Sequence, residues 1–309
     1  MIDAHAHLVP PDLSARIAAD GARLGVRLES DGRIAFASGE TSRPLLPGLL
    51  DPPRPAGCDV QIVSPWVDLL GYGLDPERGT GWARLLNTAM AGRPALATVP
   101  LQDGHAAAGE LAWALGHGFL GVEIGTNVRG RELADPELEP FWAACAEARV
   151  PVFLHPAYVI ATPRVAAHYL HNLAANPFDT TLAAAQLIFG GVLDRHPDLR
   201  PFLAHGGGYW PYQFGRLDRG YAVRRECRGA AQAPRAYLRA FSYDTVVHSA
   251  EALRYLIGLV GADRVLLGTD LPFDMGDPEP LVTLDGAGVT PRERQAIAHD
   301  NAASLFRIG

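Results

Sequence analysis

The chain has 309 residues, 48% hydrophobic and 20% charged, with a formal net charge of −7. That is ample material for a large core, and the acidic balance argues against nucleic acid or an anionic membrane surface as partner. No run of about 18 apolar residues reads as a membrane span, and no basic-then-apolar leader opens the chain. Cys58, Cys145 and Cys227 are odd in number and scattered, which gives no disulfide framework and favours a cytoplasmic location. All 27 basic residues are arginine. A Schiff-base lysine, a phosphate-loop lysine and a carbamylated lysine bridging two metals are therefore excluded.

The first apolar run, residues 2–9 (IDAHAHLV), reads as a strand. Strict alternation puts Asp3, His5 and His7 on one face. Further short apolar runs lie at residues 59–66, 95–101, 121–125, 151–155, 200–205, 241–245 and 264–270. Most are nearly continuous in Val, Ile, Leu or Phe, as in strands covered on both faces. Helical patterns separate most of them, at 82–91, 105–115, 136–148, 182–195 and 250–260. Eight strands alternating with helices predict a parallel (β/α)8 barrel, a distorted TIM barrel forming one domain over 1–309. A doubly wound open sheet is the other arrangement, but no GxGxxG follows an early strand. Residues 10–58 are too many for one loop and one helix. They read as a small β insertion after the first strand, with a hairpin in VRLESDGRIAFA turning at Asp31-Gly32. Residues 156–180, rich in Pro, His, Tyr and Asn, read as a long loop over the site. Thr290 and Pro291 open the last helix.

The ionisable residues fall at strand ends. His5 and His7 close the first run, His155 the fifth, His205 the sixth and Asp270 the eighth. In a barrel of this kind the C-terminal ends of all strands meet on one rim, where catalytic residues sit. Imidazole nitrogens with a carboxylate suit a borderline divalent metal such as zinc. Other residues fall near the same rim. Trp66, Tyr209 and Trp210 are candidates to stack on a flat substrate. Tyr169 and His171 lie in the long loop, Asp244 ends the seventh strand and Asp3 sits beside the first histidines. The last two are expected to orient ligands. Glu123, on the fourth strand, is expected to hydrogen-bond substrate or a ligand.

The stretches DAHAHL, FLHP, AHGGG and LLGTDLPF resemble the amidohydrolase superfamily. Three longer stretches, GVEIGTNVRGRELADPELEPFWAACAEARVPVFLHP, NPFDTTLA and HGGGYWPYQFGRLDRGY, are similar to one branch of it. This amidohydrolase-related branch contains the 2-amino-3-carboxymuconate-6-semialdehyde and γ-resorcylate decarboxylases. The resemblance implies a single divalent metal held by His5, His7, His155 and Asp270, with His205 as general acid/base. Asp270 is a second candidate for delivering the proton. The resemblance further implies a homodimer in which Arg216 reaches a neighbouring subunit's substrate carboxylate, and a second carboxylate-binding arginine at Arg43. The expected activity is non-oxidative decarboxylation of an unsaturated or aromatic carboxylic acid. The same parts would serve a hydrolase of a lactone, amide or ring bond, or a hydratase. A barrel that has lost catalysis is disfavoured because all five site residues are present.

Overall fold

The computed structural model describes residues 1–308. Its strands are β1 (Ile2–Leu8), β2 (Val26–Leu28), β3 (Ile34–Phe36), β4 (Val60–Pro65), β5 (Val122–Gly125), β6 (Pro151–His155), β7 (Arg200–Leu203), β8 (Ser242–Asp244) and β9 (Val265–Leu266). β2 and β3 form the antiparallel hairpin around Asp31-Gly32, separate from the other strands. The remaining seven are parallel: β1 pairs with β4, and β5 to β9 pair in chain order.

Two seams depart from continuous strands. Residues 95–101 touch both neighbours through single bridges, Val63 with Ala95 and Ala97 with Val122. The flanking Pro94 and Pro100 have no N–H to give a ladder. Between them the Asn87 side chain takes the place of a strand neighbour, accepting from Thr98 N–H and donating to Thr98 O, each at 2.9 Å. At the other seam β9 ends after two residues. The chain beyond it meets β1 through Ala4 N–H to Leu267 O (2.9 Å), Asp270 N–H to His5 O (2.8 Å) and His7 N–H to Leu271 O (2.8 Å). The result is a ring of eight parallel segments, a distorted (β/α)8 barrel without an unbroken hydrogen-bonded wall.

Helices pack outside, including Pro76–Met90, Gly104–Gly116, Asn176–Phe189, Trp210–Val223 and Ala250–Val260. Asp75, Asp103 and Ser249 cap three of them by accepting from first-turn N–H groups. The helix expected from residue 182 begins at Asn176, with Pro177 in its first turn, so the loop over the site is shorter than its composition suggested. Among the described residues no helix is long and apolar enough to cross a membrane.

The ring's interior is filled from six segments: Ile2 and Ala4, Ile62, Leu96, Phe153, Phe202 and Leu266, with Ala302 and Phe306 of the last helix against them. β1 does not alternate strictly. Its pairing with β4 runs Asp3 to Gln61 and then Ala6 to Val63, one extra residue on the β1 side. Such a bulge flips side-chain parity. Ile2 and Ala4 face the interior before it, and His5 faces the interior after it, its ring 4.7 Å from Phe153. Asp3 therefore does not share the face of His5 and His7. Without the bulge, the two histidines would lie opposite Ile2 and Ala4.

Candidate metal centre

β1, β6 and the segment after β9 bring His5, His7, His155 and Asp270 together, and all four are buried. One donor atom from each lies within 4.8 Å of the others. His5 Nε2 is 3.2 Å from His7 Nε2 and 3.3 Å from Asp270 Oδ1. His7 Nε2 is 3.1 Å and His155 Nε2 4.0 Å from the same oxygen.

The opposite ring nitrogens fix which tautomer faces inward. His5 Nδ1 donates to Asp244 Oδ2 at 2.7 Å, and His155 Nδ1 to Pro156 O at 3.2 Å. His7 Nδ1 lies 3.3 Å from Ser64 Oγ, which donates to Glu123 Oε1 at 3.0 Å. Each Nδ1 is thus committed to an acceptor, so Nε2 lone pairs converge on Asp270. His155 Nε2 and Asp270 Oδ1 are buried with no hydrogen-bond partner among the described residues. Leaving buried polar atoms unpaired costs about 1–3 kcal/mol each, so the cluster demands a charge in its middle.

The electrostatics agree. Burial pushes His155 well below the usual imidazole range, helped by three neighbouring imidazoles, and lowers His7 too. Burial would raise Asp270, but the charge on His5, the hydrogen bond from His205 and the close His5 and His7 nitrogens hold it well below the carboxylate range. Burial also opposes charge on His5, yet Asp270 and Asp244 together raise it to about 10. A proton on His5 thus neutralises the cluster when no metal ion does, and a bound cation would displace it. Tetrahedral ligands at about 2.0–2.1 Å stand roughly 3.3 Å apart, close to the three shorter spacings here. The residues fit one divalent cation.

Asp244 ties the centre together. Besides His5 it accepts from the backbone N–H of His205 (2.9 Å), Gly206 (2.8 Å) and Val246 (3.0 Å). His205 takes a left-handed φ of 55°, and Asp270 one of 57°. Such strained non-glycine backbone is sustained only by surrounding contacts and concentrates at functional sites. The glycines after His205 are required by space: a Cβ on Gly208 would stand 2.1 Å from Pro177 O, and one on Gly206 2.4 Å from Val247. His205 Nε2 donates to Asp270 Oδ2 at 3.2 Å, while its Nδ1 is buried without a partner.

His155, His205 and Asp270 open onto a cavity of about 460 Å³. Arg43, Tyr169 and His171 line it, as do Asp68, Asn172 and Phe273. Asp68 grips Arg43 through Nε (3.0 Å), Nη2 (2.9 Å) and the backbone N–H (2.7 Å), leaving Nη1 without a hydrogen bond among the described residues. The guanidinium lies 5.4 Å from the Trp66 ring and 5.8 Å from Phe273. Tyr209 lines a neighbouring cavity that shares His205 and Asp270.

Two expected substrate contacts, Trp66 and Trp210, fall elsewhere, and Glu123 and Arg216 also lie outside this cavity. Trp66 is buried beneath Arg43 and does not line the cavity. Trp210 is buried too, its indole N–H donating to Tyr243 Oη at 3.2 Å, because the helix that begins with it turns that side chain inward. Glu123 is fully buried behind Ser64 and His7, and burial raises it to about 8. Arg216 is exposed on the helix Trp210–Val223, outside this subunit's cavity. Asp3 accepts from Thr269 Oγ1 (2.7 Å), Gln61 Nε2 (3.1 Å) and His5 N–H (3.2 Å), so it braces the bulge and the segment before Asp270. Asp68 was missed by sequence reasoning. Its signal was available: it follows the second strand's Trp66 by two residues, at the rim where site residues gather.

The distorted barrel thus carries a buried three-histidine, one-aspartate candidate metal centre at its strand ends. The family model described as Amidohydrolase matches residues 2–308, and the chain belongs to that family. A 2-amino-3-carboxymuconate-6-semialdehyde decarboxylase of Dictyostelium discoideum is 34% identical over 233 residues, 72% of this chain and 65% of the relative. The match thus spans just under two thirds of that relative's length. A γ-resorcylate decarboxylase of a Rhizobium species is 29% identical over 69% of this chain and 70% of its own. Among solved structures, 5-carboxyvanillate decarboxylase from Sphingomonas paucimobilis superposes with a TM-score of 0.81 at 23% identity, covering 100% of this chain and 99% of that one.

Proposed function

We propose that the protein is a metal-dependent, non-oxidative decarboxylase of an unsaturated or aromatic carboxylic acid. The observation that carries this reading is His205, bonded to Asp270 at the metal centre and lining a cavity that Arg43 also lines. On this reading a proton carrier and a carboxylate anchor share one cavity with the metal ligands His155 and Asp270. The relatives named above as decarboxylases support it.

The centre would hold zinc through His5, His7, His155 and Asp270, a donor set that suits zinc, with manganese as the competitor in metal analysis. A bound divalent ion supplies positive charge that polarises a substrate oxygen. Arg43, oriented by Asp68, offers its Nη1 to the substrate carboxylate. Asp270 has one oxygen among the Nε2 atoms and the other on His205, so it holds the imidazole instead of carrying the proton. His205 delivers a proton to the carbon that bears the carboxylate. The C–C bond then breaks, its electron pair restores the ring or double bond, carbon dioxide leaves, and water reprotonates His205. Tyr169 and His171 cover the cavity mouth as substrate contacts.

Arg216 would act on a neighbouring subunit in a homodimer. Its exposure, and the pairing of Asp218 with Arg235 and Glu226 with Arg224, support that role. A cytoplasmic location is supported by three unpaired cysteines.

The test offers zinc- or manganese-loaded protein hydroxybenzoates, hydroxynaphthoates and muconate semialdehydes. Released carbon dioxide is measured beside cleavage of lactones, esters and amides. Carbon dioxide from at least one acid is expected. Lactone, ester or amide cleavage with no carbon dioxide from any acid would overturn the proposal in favour of a hydrolase.

A further inference from the structure

A second cavity of about 350 Å³ lies beside the first, and the two share Asn172, Asn176, His205, Asp270 and Met275. His205 and Asp270 therefore stand on the divide. The two sides differ in chemistry. Arg43, Asp68, His155 and His171 line only the first. The second adds Leu173, Pro177, Gly208, Tyr209, Tyr212, Val246, Val247 and Ala252, with His248 the imidazole that lines only this cavity. Its walls come from four separate places: the turn leading into the helix Asn176–Phe189, the start of the helix Trp210–Val223, the loop after β8, and the first turn of the helix Ala250–Val260.

We propose that this apolar lobe is a substrate subsite for a second ring or a comparable apolar substituent, so that the preferred substrate is a bulky, fused-ring acid and not a single-ring one. The inference rests on the decarboxylase reading for the polar end only. An acid whose carboxylate faces Arg43 and whose reacting carbon faces His205 must extend its remainder past His205. On the far side it meets aliphatic and aromatic walls. Against Leu173, Pro177, Val246 and Val247 a polar substituent would lose water with no partner in exchange, whereas a ring face would not; Asn172, Asn176 and His248 supply polar atoms elsewhere on the lobe wall. The tyrosines add flat surface: Tyr212 is stacked on Tyr255 at 5.4 Å, which holds its ring in place at the lobe wall.

The experiment uses metal-loaded full-length protein and reads binding as well as turnover. Dissociation constants are measured calorimetrically for benzoate and 2-naphthoate, whose extra ring is the only difference. In parallel, kcat/KM is compared for a hydroxybenzoate and a hydroxynaphthoate. Wild-type protein is expected to bind the naphthoate about tenfold or more tightly than the benzoate. Ala252→Phe, which fills the lobe from its helical wall, should abolish that preference and leave benzoate binding within about twofold. Leu173→Asp at the half-exposed mouth is the second variant, and should reduce the preference without disturbing the core. Equal affinities in wild type, or a preference that survives both variants, would overturn the subsite. If no acid releases carbon dioxide, the decarboxylase reading fails, yet the binding preference still decides the lobe.

Discussion

The two walls of the candidate site are built in opposite ways. The metal wall is made of strand ends: His5, His7, His155 and Asp270 are buried, and every inward nitrogen is set by a hydrogen bond on the other side of its ring. The proposed substrate wall is made of insertions and loops. Arg43 has a side chain 50% exposed and depends on one carboxylate, Asp68, and Tyr169 is 40% exposed at the cavity mouth. The metal wall is over-determined and the substrate wall is adjustable. A barrel can therefore keep one centre while changing what that centre acts on.

The largest test of that contrast strikes the metal wall. Asp270→Asn, or dialysis against a chelator, should remove the metal and cut turnover by about a thousandfold or more, read by metal analysis beside a carbon dioxide assay. If Asp270→Asn kept full metal and activity, the four-residue centre would be wrong. His205→Asn comes next. It should retain one metal per chain yet lose about 10²–10⁴ in kcat, which separates proton delivery from metal binding. Asp244→Asn probes the bracing behind the wall, where His5 and the His205 backbone share one carboxylate. A roughly 10–100-fold weaker metal affinity is expected from competition with a chelating dye.

On the substrate wall the effects should be smaller and fall on different constants. Arg43→Gln should raise KM about tenfold and leave kcat within a few-fold, because its contact is made in ground state and transition state alike. A large fall in kcat with unchanged KM would place Arg43 in the chemistry instead. Smallest is Trp210→Phe, which removes the hydrogen bond to Tyr243 and some buried ring. It should cost about 1–2 kcal/mol of stability by thermal unfolding and leave kcat/KM unchanged.

The strand-borne half of the site was legible because it follows from periodicity and position. Short apolar runs ending in His or Asp mark one rim, whatever the distance between them in sequence. The same logic overreached on β1. Strict alternation groups Asp3 with His5 and His7, whereas one inserted residue between Asp3 and Ala6 separates them. It also overreached at residues 95–101, where Asn87 supplies hydrogen bonds that a neighbouring strand would otherwise give. The aromatic candidates show the limit most clearly. Trp66 and Trp210 stand next to the rim in sequence, but their side chains turn inward into the packing. Local sequence does not record that direction.

The amino-acid sequence by itself determined the parallel barrel, the hairpin at Asp31-Gly32 and the residues able to ligate a metal. These depend on local pattern: alternation of apolar runs with helices, a turn dipeptide, and donor side chains at strand ends. Only the tertiary structure decided which nitrogen of each histidine faces inward, that Asp244 braces both His5 and His205, that Asp68 holds Arg43, and that His205 stands between a polar and an apolar cavity. Those facts are relations between groups tens to hundreds of residues apart. They are fixed by packing and by the demand that buried polar atoms find partners, and neither can be read one segment at a time.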